Sequence, residues 1–144
     1  MSSDTKTRAS ELASIAGRFG VADIYVFGSR SNALVSADGA GVAAGEATSD
    51  VDIAVRPFRG IALAPAERVE LTLALERALR ASPVDLLVLP EAGPFLALAV
   101  IRGNLLFCAD PVDQAEYELF VLRRAGDLAP LERERQEIVL AGGR

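Results

Sequence analysis

Apolar positions along the chain change period several times, and each change marks an element. From Ser10 to Phe19, Leu12, Ile15, Ala16 and Phe19 fall at i, i+3, i+4 and i+7 with Gly20 behind them, which predicts an amphipathic helix. Val21 to Phe27 is rich in β-branched and aromatic residues and stops at Gly28-Ser29, a strand running into a tight turn. Val51 to Val55 alternates and predicts a second strand pairing with the first; Arg56-Pro57 ends it, and Phe58 to Ala64 reads as a loop. Pro65 opens a helix to about Ala81, with Leu71, Leu75, Ala78 and Leu79 on one face and a Glu76/Arg80 pair opposite. Ser82-Pro83 closes it before a third strand, Val84 to Leu89. The intervening helix permits parallel pairing of the second and third strands.

The second half is read the same way. Pro94 to Ile101 is a short, nearly all-apolar helix that must be buried, stopped by Gly103, and Asn104 to Cys108 is a fourth strand at an edge. Asp110-Pro111 is a cap followed by a first-turn proline. The helix they open runs to about Arg124, with Ala115, Leu119 and Leu122 on one face, Tyr117, Phe120 and Val121 on a neighbouring one, and Gly126 as its stop. The tail from Leu128 to Leu140 carries the mixed charges of Glu132 to Glu137 and reads as a solvated last helix.

One strand carries chemistry. In Ser49-Asp50-Val51-Asp52-Ile53-Ala54-Val55 the two acids share a face, and Val51, Ile53 and Val55 share the other. Like charges that close are unfavourable without a cation, and hard oxygen ligands suit Mg²⁺. Alone, such a pair also fits a polar strand start with both acids solvated. Its company favours the metal seat: Gly28-Ser29 is a turn whose backbone can approach phosphate oxygens, and Asp85 stands near the start of the third strand.

Composition narrows the classes. The 144 residues suit one domain, and 51 % hydrophobic with 24 % charged residues is ordinary for a globular protein. There is no histidine, so His-dependent triads and His-based zinc sites are excluded. The single Cys108 allows no internal disulfide and reads as a small packing residue, as do Tyr25 and Tyr117. No run approaches the roughly twenty apolar residues of a membrane span, and Met1 to Ser10 lacks the apolar core of a signal peptide, so a cytoplasmic location is expected. A net charge of -5 argues against direct nucleic-acid binding and suits a basic protein partner.

Taken in order, Gly28-Ser29-Arg30, Ser49-Asp50-Val51-Asp52 and Asp85 resemble the polymerase β-type nucleotidyltransferase superfamily, in particular its minimal nucleotidyltransferase family, from HEPN/MNT toxin–antitoxin pairs. The resemblance spans about Ile24 to Cys108. It implies an α+β fold, a small mixed sheet of about four strands flanked by helices, in one domain over residues 1–144. Residues 33–48 would be a flexible insertion and 111–144 the C-terminal helices. It further implies that Gly28, Ser29, Arg30 and Ser49 bind the nucleotide, and that Asp50, Asp52 and Asp85 are catalytic and hold a pair of Mg²⁺ ions. Asp85 would also orient or deprotonate the attacking hydroxyl.

By the same resemblance, AMP passes from ATP to a tyrosine of a HEPN-domain toxin, and the chain is that toxin's antitoxin in a hetero-oligomer. Two other readings stay open: a catalytically silent antitoxin that acts by binding, and a small-molecule (antibiotic) adenylyltransferase. The chain departs from the family in the small-residue-rich stretch Ser31 to Thr48. No Arg or Lys lies between Arg30 and Asp52, so a basic phosphate contact falls to Arg30, Arg56 or Arg59.

Overall fold

The computed structural model describes residues 3–28 and 50–142, with side chains for 6–28 and 50–130. Its elements follow the order α1 (Ser3–Phe19), β1 (Val21–Phe27), β2 (Val51–Pro57), α2 (Pro65–Leu79), β3 (Val84–Val88), a 3₁₀ turn (Leu89–Glu91), α3 (Pro94–Ile101), β4 (Asn104–Cys108) and α4 (Pro111–Gly142). The strands form one mixed sheet in the order β3-β2-β1-β4. β1 pairs antiparallel with β2 and β4, while β2 and β3 are parallel. The crossover α2 makes that parallel step possible, because it carries the chain back to the end of the sheet where β2 began. This is the expected α+β architecture, with β4 at an edge as its sequence suggested.

Strand alternation divides the core into two layers. On one face Ile24, Val26, Val51, Ile53, Val55, Val84 and Val88 pack against Leu12, Ala16 and Phe19 of α1 and Leu71, Leu75, Ala78 and Leu79 of α2. On the other, Tyr25 and Ala54 meet Leu89, Ala97, Val100 and Val121 beneath α3 and α4. Fully burying a leucine contributes about 1.5–3 kcal/mol, so the first, larger layer holds most of the hydrophobic stabilisation. Among the described residues no helix is long and apolar enough to cross a membrane.

Two local expectations are corrected. Glu76 does not reach Arg80; its carboxylate accepts the Val84 N–H at 2.8 Å, fixing the start of β3, while Arg80 caps α2 in the left-handed conformation. Gly126 does not stop the last helix, which continues through Pro130 to Gly142. A glycine inside a helix costs about 1 kcal/mol, and a proline, which removes one backbone donor and crowds the carbonyl four residues back, costs about 3 kcal/mol and can kink a helix without ending it. Arg123 and Arg124 consequently lie mid-helix.

A polar network seats α4. The Tyr25 hydroxyl, buried in the sheet, donates to Glu118 Oε2 at 2.9 Å and accepts from Gln114 Nε2 at 2.7 Å. Beside it, Arg56 donates to the fully buried Asp23 (Nε–Oδ2 2.5 Å) and to Asp113 of α4 (Nη2–Oδ2 2.7 Å), with its guanidinium 4.8 Å from the Tyr117 ring centre. Burial raises the Asp23 carboxyl above its ordinary range, although the Arg56 hydrogen bond pulls it down. Tyr25 and Tyr117 are thus packing residues, as read from the sequence. Arg56→Ala strands the Asp23 carboxylate and should cost about 3–5 kcal/mol. Urea unfolding checks this, and Asp23→Asn added to Arg56→Ala should recover part of the loss.

Candidate active site

Three of the motif's parts converge at one end of the sheet. Asp52 lies in the middle of a row, paired with Phe27 on β1 and with Asp85 on β3. Neighbouring strands run about 4.8 Å apart, so the Asp52 and Asp85 side chains leave adjacent backbone positions on the same face. Asp50 precedes β2 by one residue and shares that face by alternation, with Val51 and Ile53 buried on the other. Asp50 and Asp85 are exposed and Asp52 is half-buried.

Gly28 closes the site from the β1 side. It has φ +81, and a β-carbon there would lie 2.5 Å from Asp52 Oδ2, so the turn backbone runs against the carboxylate in a way that only glycine permits. The loop after α3 makes a similar approach: a β-carbon on Gly103 would lie 2.4 Å from the Val26 carbonyl oxygen. That packs the start of β4 against the end of β1. Phe27, half-buried and opposite Asp52, is a wall of the site that the sequence did not single out. Its position as the last residue before Gly28 was the available signal.

The electrostatics are frustrated. Burial, then the nearby charges of Asp85 and Asp50, push the Asp52 carboxyl above its ordinary range. All donors here are hard carboxylate oxygens, and crowded like charges are what a hard divalent cation relieves. Among the described residues no group of three or more His, Cys, Asp or Glu is gathered tightly enough to hold a metal ion. The arrangement fits Mg²⁺ in its usual manner, held by one or two carboxylates with phosphate oxygens filling the remaining positions. Asp50 and Asp52 suit that role, with Asp85 beside them.

The structure separates the other candidates. Ser29, Arg30 and Ser49 lie outside the described residues, as does the 33–48 stretch. Arg56 is not a phosphate ligand: it points from the same face but is tied to Asp23 and Asp113, four residues along β2 from Asp52. Arg59 follows the far end of β2, away from the acids. Cys108 is a half-buried free thiol on β4 whose pKa burial raises, in keeping with a packing role.

No family model matches the chain, and no curated protein does. Solved structures do. A doubly substituted MntA toxin–antitoxin complex is 25% identical with a TM-score of 0.63, over 94% of this chain and 98% of that one. A toxin–antitoxin structure with AMP-PNP is 27% identical with a TM-score of 0.62, again over 94% and 98%. A third, the Shewanella oneidensis MNT antitoxin with its tri-AMPylated HEPN toxin, is 24% identical with a TM-score of 0.60 over 97% and 99%, and bears on the fold alone.

Gly28→Ala should lose about 1–3 kcal/mol of stability from backbone strain and also displace Asp52; thermal melts and a crystal structure of the variant check both. Because the folded-state pKa of Asp52 lies above its unfolded value, the stabilising form is the protonated one. Its contribution is full below the ordinary carboxylate range and is lost as pH rises through the raised value. Asp52→Asn, a neutral mimic, should therefore melt above the native chain at neutral pH in the absence of divalent cations, the gap closing as the medium is acidified. In fold the chain is similar to solved toxin–antitoxin structures, an MntA complex among them.

Proposed function

We propose that this chain is the antitoxin of a HEPN toxin and a Mg²⁺-dependent nucleotidyltransferase that moves AMP from ATP to a tyrosine hydroxyl of that toxin. The observation that carries the reading is the seating of the Gly28 turn against the Asp52 carboxylate, with Asp50 and Asp85 beside it. Further support comes from the neighbours: one is a toxin–antitoxin structure with AMP-PNP. Another carries glutamates in place of two aspartates spaced as Asp50 and Asp52 are.

In this reading residues 1–144 act as one catalytic domain in the cytoplasm, with 33–48 an insertion in its sequence. The Gly28-Ser29 turn, with Arg30 and Ser49, holds the triphosphate through backbone N–H groups, the hydroxyls and the guanidinium. Mg²⁺ would be held by Asp50 and Asp52, with Asp85 beside them, and would neutralise charge on the phosphates and on the acids themselves. Asp85 orients the tyrosine hydroxyl and takes its proton. The hydroxyl oxygen forms a bond to the α-phosphorus as the α–β anhydride bond breaks, and pyrophosphate departs with that electron pair. Catalysis is positioning and charge neutralisation throughout.

The removal of Arg56 and Arg59 from the site favours a second reading, a silent fold that neutralises the toxin by binding, since it leaves the basic phosphate contact to Arg30 alone among the three candidates. One experiment decides. The chain is incubated with a HEPN-domain toxin, Mg²⁺ and ATP labelled on the α-phosphate. Label should appear on a toxin tyrosine, vanish with chelator and fall about 10²–10³-fold or more in Asp52→Asn. Absence of label, with a tight complex that survives Asp50→Asn/Asp52→Asn, would establish the binding reading instead.

A further inference from the structure

α4 has two faces, and the sheet accounts for only one. Gln114, Tyr117, Glu118, Val121 and Ala125 face inward, bonded to Tyr25 and Arg56 or buried against the core. A second stripe, Val112, Ala115, Leu119, Leu122, Gly126 and Ala129, repeats at alternating spacings of three and four, the heptad a/d pattern of a helix–helix seam. All of them are exposed except Ala129, which is half-buried. Val112, Leu119 and Leu122 are 68%, 58% and 48% exposed, and a β-carbon on Gly126 would meet nothing within 4 Å. Three large apolar side chains in one straight row on an otherwise acidic chain exceed the scattered exposure that a surface normally carries.

The stripe's ends and flanks identify its occupant. In sequence the next two seam positions are Arg133 and Gln136, so the apolar stretch is bounded to 112–129 and centred between Leu119 and Leu122. A two-fold axis at that centre, with the helices antiparallel, sets Leu119 opposite the other chain's Leu122. It also sets Ala115 opposite Gly126 and Val112 opposite Ala129, with bulk at the middle and small residues where the backbones close. The flank toward solvent carries Glu116 and Arg123, both exposed. Antiparallel pairing brings the flanking positions of like type together, so each Glu116 meets the other chain's Arg123 on both sides of the axis. A parallel arrangement would instead set Glu116 beside Pro111, and Arg123 beside Glu118, which Tyr25 and Gln114 already engage.

We propose that this outer face of α4 is a self-complementary seam through which two copies of the chain pair antiparallel, with the sheets outward and the two sets of acids free. The seam is independent of whether the acids are catalytic. Sedimentation equilibrium of the full chain alone should give twice the chain mass. Leu119→Glu, at a solvent-facing position that leaves the fold intact by circular dichroism, should raise the dimer dissociation constant about 100-fold or more. Glu116→Arg should also weaken the dimer, and Glu116→Arg/Arg123→Glu should restore it. A wild-type chain that stays at the monomer mass, or a dimer indifferent to Leu119→Glu, overturns the proposal. Failure of the double exchange to restore the dimer overturns the antiparallel register. If Leu119→Glu leaves the chain's own mass unchanged but abolishes co-elution with the toxin, the face belongs to the toxin and the proposal fails.

Discussion

The site depends on one constraint: a strand that is hydrogen-bonded along both edges has no freedom to move its side chains apart. β2 is such a strand, held by β1 on one side and β3 on the other. Asp52 cannot retreat from Asp85, because their backbones are register partners, nor from Gly28, whose turn is fixed by the antiparallel pair. The mutual repulsion of the carboxylates is therefore sustained by the sheet and by the apolar layer beneath it, where Val51, Ile53 and Val55 are fully buried. Folding energy from one face holds an unfavourable arrangement on the other. That division between a stabilising layer and a strained polar end is common where charge has to be gathered for binding.

Much of this was legible in the sequence because the relevant signals are local. Alternation alone placed Asp50 and Asp52 on one face, and the abrupt stop at Gly28 marked the turn. That Asp85 stands next to Asp52 is a long-range fact; it followed only because the intervening helix permits a parallel step. What was not legible was competition between partners. Arg56 looked available for phosphate, but an aspartate buried at the matching position of β1 engages it, and nothing in the spacing of Asp23 announces burial. Glu76 was drawn from a helical neighbour to a backbone N–H at the start of β3 for the same reason.

The long last helix shows a different limit of local reading. Gly126 and Pro130 are both punctuation by propensity, and each is tolerated once the flanking turns have helical neighbours on either side. Propensity is a weak prior against continuous hydrogen bonding. The polar anchors to Tyr25 and Arg56 fix only the first turns of α4 to the sheet, and they do so with groups that need one another: a buried hydroxyl with a carboxylate and an amide, a buried aspartate with a guanidinium. Such a network specifies the helix's rotation more sharply than apolar contact alone, because a turn of the helix would leave several of these groups unsatisfied.

The pairing of Phe27 with Asp52 has a consequence for how such chains diverge. The backbone leaves β1 and rejoins β2 at facing positions, so the ends of the connection between them are closed by the sheet whatever its length. Loop-closure entropy grows only logarithmically, by about 0.6 kcal/mol for each doubling. Residues can accordingly be gained between Gly28 and Asp50 at little thermodynamic expense and without shifting any acid.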